Sequence, residues 1–77
     1  MLNEERVKEE IVRFCREELG RKLTDMEVEE RNHIFWVKMG EYYTRIDGRH
    51  IYDYMHGDRN GIGRKGMLSA LLNAKRK

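Results

Sequence analysis

The chain has 77 residues and a net charge of +2, with 39% charged residues, no proline and one cysteine, Cys15. A chain of this length buries only about 60% of its unfolded surface, which leaves little room for a deep enzymatic cleft on a separate scaffold. A lone cysteine excludes an internal disulfide, no apolar run approaches the ~20 residues of a membrane span, and the N-terminal MLNEERVKEE lacks the basic and apolar regions of a signal peptide. The expectation is a single small domain, residues 1–77, in a reducing cytoplasmic setting away from membranes.

Charge is segregated along the chain. Residues 1–32 carry seven Lys/Arg and ten Asp/Glu, whereas residues 33–77 carry nine Lys/Arg and four Asp/Glu. From Arg59 to Lys77 there are six basic residues and no acid. Such sign asymmetry points to a basic end that meets an anion.

Residues 3–19 read as an amphipathic helix, with Val7, Ile11, Phe14, Cys15 and Leu19 at three- and four-residue steps. Asn3 is its N-cap and Gly20 its left-handed stop. A second helix is expected from about Asp25. Thr24 and Glu27 form a capping box there, and Leu23 and Val28 a hydrophobic staple. Near Asn32 or His33 the pattern changes to HIFWVKM, rich in β-branched and aromatic residues. This favours a strand over residues 33–39; the alternative is one continuous helix from Asp25 to Met39 stopped by Gly40.

Gly40-Glu41 and Asp47-Gly48 are both two-residue turn signals. They predict a three-stranded meander over residues 33–39, 42–46 and 49–55. One face then takes Phe35, Val37, Met39, Tyr42, Thr44, Ile46 and Ile51. The other takes Ile34, Trp36, Lys38, Tyr43, Arg45, His50, Tyr52 and Tyr54. A competing reading makes residues 49–56 a short helix capped by Asp47 and ended by Gly57. Residues 56–66, with four glycines, read as a loop. The stretch MLSALLNAKRK reads as a final helix with Lys75, Arg76 and Lys77 at its C-terminus.

No motif names a reaction. Gly61-Ile62-Gly63-Arg64-Lys65-Gly66 fits G-x-G-x-x-G, but the chain ends too soon after it for a βαβ dinucleotide unit. Its residual reading is a phosphate-holding loop; the plainer one is a flexible connector. Asp58-Arg59-Asn60-Gly61 opens like a calcium loop, yet Ser69 stands where the bidentate Glu is needed. Cys15, His33, His50 and His56 lack the paired spacing of structural zinc ligands. No cofactor or metal is expected.

The sequence therefore predicts an α+β fold: two N-terminal helices, a three-stranded antiparallel β-meander and a C-terminal helix. The expected function is that of a small non-enzymatic nucleic-acid-binding or regulatory protein. Arg59, Arg64, Lys65, Lys75, Arg76 and Lys77 would contact phosphates, Arg45, Arg49 and His50 would extend the patch, and Trp36, Tyr43 or Tyr52 would stack on bases. DNA and RNA are equally served by this chemistry. The alternative is a protein–protein module, an inhibitor or adaptor docking on a larger complex, because Tyr, Trp, Met and Arg dominate interface hot spots. A homodimer is a further expectation for a small domain so rich in aromatics.

Overall fold

The structure, a computed structural model, describes residues 3–57 and 60–76. In chain order it comprises α1 (Glu4–Leu19), β1 (Met26–Arg31), β2 (Ile34–Met39), β3 (Tyr42–Asp47), α2 (Gly48–His56), α3 (Ile62–Leu72) and β4 (Lys75–Arg76). The strands form one antiparallel sheet in the order β1-β2-β3-β4. The fold class is α+β.

The helices line one face of the sheet: α1 packs against β1, and α2 and α3 pack against β3. The core lies between the two layers. The sheet contributes Met26, Phe35, Val37 and Ile46, and the helices contribute Val7, Ile11, Phe14, Ile51, Tyr54, Met67 and Leu71. Phe14 and Tyr54 meet edge to face, with ring centroids 5.3 Å apart. No helix among the described residues is long and apolar enough to cross a membrane.

The first helix forms as the sequence indicates. Asn3 Oδ1 accepts from the Glu5 amide at 2.8 Å, and Gly20 closes the helix at φ +64°. Strands β2 and β3 also fall where expected, joined by Gly40 at φ +62°, the positive value that a two-residue turn opening on glycine requires.

Three expectations are overturned. The segment after Asp25 is strand β1, not a helix. Met26 and Val28 alternate with Glu27 and Glu29, so the strand buries one side against α1 while all six residues pair with β2. Asn32 and His33 both take positive φ (52° and 66°), as a type I′ turn demands, and fold β1 directly onto β2. The capping-box signal loses to this pairing.

The second correction concerns residues 49–55, which are helix α2 and not a third strand of the meander. Asp47 is its N-cap, its Oδ1 accepting from the Arg49 amide at 2.8 Å. Gly48 is needed for close approach, since a Cβ there would lie 2.7 Å from the His33 carbonyl oxygen. That same oxygen accepts from the Gly48 amide at 2.8 Å. His50, Tyr52 and Tyr54 therefore leave the sheet, and Tyr54 becomes core.

The third correction is the glycine-rich stretch. Helix α3 begins at Ile62, so Gly63 and Gly66 lie inside it and face α2. A Cβ at Gly63 would come within 2.6 Å of the His50 carbonyl oxygen, and one at Gly66 within 2.4 Å of the His50 ring. These glycines let two helices pack in near-backbone contact; they do not form a phosphate loop. The helix also ends early, at Leu72, and Lys75 and Arg76 pair with β3 as β4. Asp58, of the calcium-like tetrapeptide, lies outside the described residues.

Candidate nucleic-acid interface

Antiparallel register fixes which side chains share a face, because residues directly opposite one another point the same way. On the face turned away from the helices, one row crosses the sheet as Glu27, Lys38, Tyr43 and Lys75. The next row is Glu29, Trp36 and Arg45, and the third is Arg31, Ile34 and Asp47. None of the helices packs on this side of the sheet, and Lys38, Tyr43, Arg45 and Lys75 are all exposed.

Trp36 stands half-buried at the centre. The guanidinium carbon of Arg45 lies 5.2 Å from the indole centroid and that of Arg31 lies 5.3 Å from it. Arg45 reaches it from β3 and Arg31 from β1, so cations from both neighbouring strands lie over the ring. Each such contact contributes about 0.5–1 kcal/mol at an exposed site.

The two arginines differ in what else they hold. Arg31 forks onto Glu29, with Nε 3.0 Å from Oε1 and Nη2 3.2 Å from Oε2. That hydrogen bonding holds the Glu29 carboxyl below the usual carboxylate range and raises the Arg31 pKa in turn. Arg45 has no carboxylate partner among the described residues; its contact is the indole. Lys38 Nζ lies 3.9 Å from Glu27 Oε2, a loose pair. Lys75, beside Tyr43, has no ion pair among the described residues. Two acids of this face, Glu27 and Glu29, sit on β1 beside cations, and the third, Asp47, ends β3 and caps α2, while the cations without an ion pair among the described residues, Arg45 and Lys75, sit on β3 and β4.

Of the residues expected to bind nucleic acid, this face gathers Trp36, Tyr43, Arg45 and Lys75. The rest are dispersed. Arg64 donates through Nε to Glu18 Oε1 at 2.9 Å and ties α3 to α1. Arg76 bridges to Glu41 of the β2–β3 turn, with Nη2 2.9 Å from Oε2. Arg49 and Tyr52 border a separate depression with Glu30 and His33. The Tyr52 ring is also paired with His56, at 4.6 Å. His50 is wedged against Gly66, its Nδ1 buried without a hydrogen bond. Lys65 is exposed on α3. Arg59 and Lys77 lie outside the described residues.

Arg31 is the member that sequence reasoning missed, because it was assigned to a helix. The alternation of Met26 and Val28 with glutamates, followed by Asn32 as a left-handed turn residue, is the signal that places it on a strand. Cys15, a candidate zinc ligand by residue type, is core: it is 1% exposed, and burial raises its thiol pKa. Comparison with protein-family models, with curated proteins and with solved structures gives no match for this chain.

Proposed function

We propose that the protein is a small, non-enzymatic nucleic-acid-binding protein whose contact surface is the open face of its sheet. The observation that carries this reading is the Arg31–Trp36–Arg45 stack beside the Lys38–Tyr43–Lys75 row, on a face that no helix covers. Arginine and lysine neutralise phosphates and release their counterions, and that release makes affinity salt-dependent. Tyr43, 40% exposed, offers an aromatic surface among these cations. The basic C-terminal segment supports the reading through Lys75, not as a continuous patch.

The test is fluorescence anisotropy with labelled oligonucleotides at low and moderate salt, on the wild type and on Arg45→Glu. Wild-type binding should weaken as salt rises, with a log–log slope of about −3 for three to four neutralised phosphates. Arg45→Glu should weaken binding at low salt while lowering the melting temperature by only the few degrees that one exposed cation–π contact is worth. No binding at low salt, or binding that ignores salt, refutes the reading.

A second reading rests on α3. Ile62 and Leu72 are 73% and 61% exposed, and with Lys65 and Ser69 they lie along one side of the helix. These two exposed apolar side chains on one helix side are the observation that favours a protein contact there. Light scattering of the wild type and of Leu72→Glu tests for self-association through this face. A monomer in both cases removes the homodimer form of this reading.

A further inference from the structure

We infer that the open sheet face reads double-stranded DNA, with β2 and β3 lying in the major groove and Arg45 contacting a guanine. This rests on the preceding reading that the face binds nucleic acid, and specifies which nucleic acid and how.

The first argument concerns the indole. Binding of a single strand depends on aromatic faces that are free to stack on bases. Trp36 already has two guanidinium groups over its ring, one from each neighbouring strand, and a stacking base would compete with them. The ring acts instead as a brace. It holds two arginines upright on a rigid sheet and lowers the entropy lost when they form directed hydrogen bonds.

The second argument is the asymmetry between those arginines. Arg31 spends two of its donors on Glu29, whereas Arg45 meets no carboxylate among the described residues and keeps its fork. A free, braced guanidinium matches the paired O6 and N7 acceptors of guanine, which only the major groove displays.

The third argument is size and charge. Six-residue strands run about 20 Å, and β2 and β3, the central pair of the four-stranded sheet, lie about 5 Å apart, within the roughly 12 Å width of the B-DNA major groove. The major groove of duplex RNA is too deep and narrow to be read in this way. The β2–β3 ribbon carries Trp36, Lys38, Tyr43 and Arg45. Beside it Lys75, on β4, stands at one edge where a phosphate strand would run, and Arg31, on β1 with Glu27 and Glu29, stands at the other; the ribbon's one acid on this face, Asp47, lies at the end of β3 and caps α2.

The experiment is a selection from randomised duplex DNA with the full chain, followed by competition. The enriched duplex is set against its own single strands and against duplex RNA of the same sequence. Each enriched guanine is then replaced in turn by 7-deazaguanine, which lacks the N7 acceptor. Duplex DNA should bind about tenfold or more tightly than either competitor, since neither displays the readable groove. One 7-deazaguanine position should weaken binding by about 5- to 150-fold, the range for a lost bidentate contact. Arg45→Met should erase that discrimination while salt-dependent binding to unselected duplex persists. Equal binding of single strands or duplex RNA overturns the inference and leaves the nucleic-acid reading standing. So does tolerance of 7-deazaguanine at every position, or full discrimination by Arg45→Met. If none of the three nucleic acids binds at about 50 mM salt, the nucleic-acid reading falls, and the inference with it.

Discussion

Gly63→Ala tests how the helical layer is assembled. A Cβ at this position would lie 2.6 Å from the His50 carbonyl oxygen, 2.6 Å from the Tyr54 amide nitrogen and 3.1 Å from the Asp53 carbonyl carbon. All three atoms are backbone of α2, so no side chain can swing aside. Ordinary contact begins near 3.4 Å, and α3 must therefore retreat by about 0.8 Å. A gap of that size forfeits a quarter to a half of the dispersion between facing atoms. Ile51 and Tyr54 on α2 and Met67 and Leu71 on α3 are buried in the shared core, each worth about 1.5–3 kcal/mol when fully buried. The loss is about 2–4 kcal/mol, offset by about 1 kcal/mol of better helix propensity for alanine. The net destabilisation is about 1–3 kcal/mol, the usual range for overpacking. In a domain of this size that lowers the melting temperature by about 5–20 °C, read by far-UV circular dichroism and by the urea midpoint. Gly66→Ala should also destabilise, because its Cβ would meet the near end of the His50 ring, whose Nδ1 is buried. A Gly63→Ala protein as stable as wild type, or more so, refutes the close α2–α3 approach.

Other consequences are smaller and equally direct. Asp47→Ala should destabilise the protein by about 0.5–2 kcal/mol at neutral pH through loss of the α2 cap. The hydrogen bond from the Arg49 amide lowers the Asp47 pKa below its ordinary 3.8, so the native state holds its proton less readily than the unfolded chain. The cap's contribution is therefore whole above about pH 4 and fades as pH falls through the lowered native value, so urea midpoints of wild type and Asp47→Ala should converge in strong acid. Cys15, 1% exposed with its thiol pKa raised by burial, should react with an aromatic disulfide reagent only as fast as the protein unfolds; rapid labelling of the native protein contradicts its place in the core. Thr24→Ala should change stability by no more than about 0.5 kcal/mol, whereas a helix capped there would lose about 1 kcal/mol.

Much of the architecture is legible in local chemistry where one signal dominates. Asn3, the apolar stripe of α1 and Gly20 all agree, and so do the aromatic strand β2, Gly40 and β3. The faces of those two strands follow, with Phe35, Val37 and Ile46 inward and Trp36, Lys38, Tyr43 and Arg45 outward. Sequence and structure part where one short signal has two structural meanings. Thr24 and Glu27 offer a cap worth about 1 kcal/mol, but β1 gains a six-residue ladder and the burial of Met26. Asp47-Gly48 suits a hairpin turn and equally a helix N-cap; the three-residue spacing of Ile51 and Tyr54, both buried, marks the helix.

The density of glycines in residues 56–66 suggests a loop. Their spacing was the better guide, since Gly63 and Gly66 fall on one side of a helix and meet another backbone. Strand β4 has no sequence signature, because a two-residue strand is imposed by the edge of β3 that it pairs with. The expected basic cluster dissolved for the same kind of reason. Linear charge brings Arg64 and Arg76 near Lys75 in sequence, but tertiary packing hands them to Glu18 and Glu41.

Trp36 is the chain's only tryptophan and stands at the centre of the proposed interface. Its emission therefore reports on that face without a label. Titration of the protein with duplex DNA at low salt, followed by Trp36 fluorescence alongside anisotropy of the DNA, is the most direct test of the central claim. The account predicts one saturable transition seen by both signals, shifting together to weaker binding as salt rises. Binding by anisotropy with unchanged Trp36 emission would place the DNA on another surface, and no binding at all would contradict the account outright.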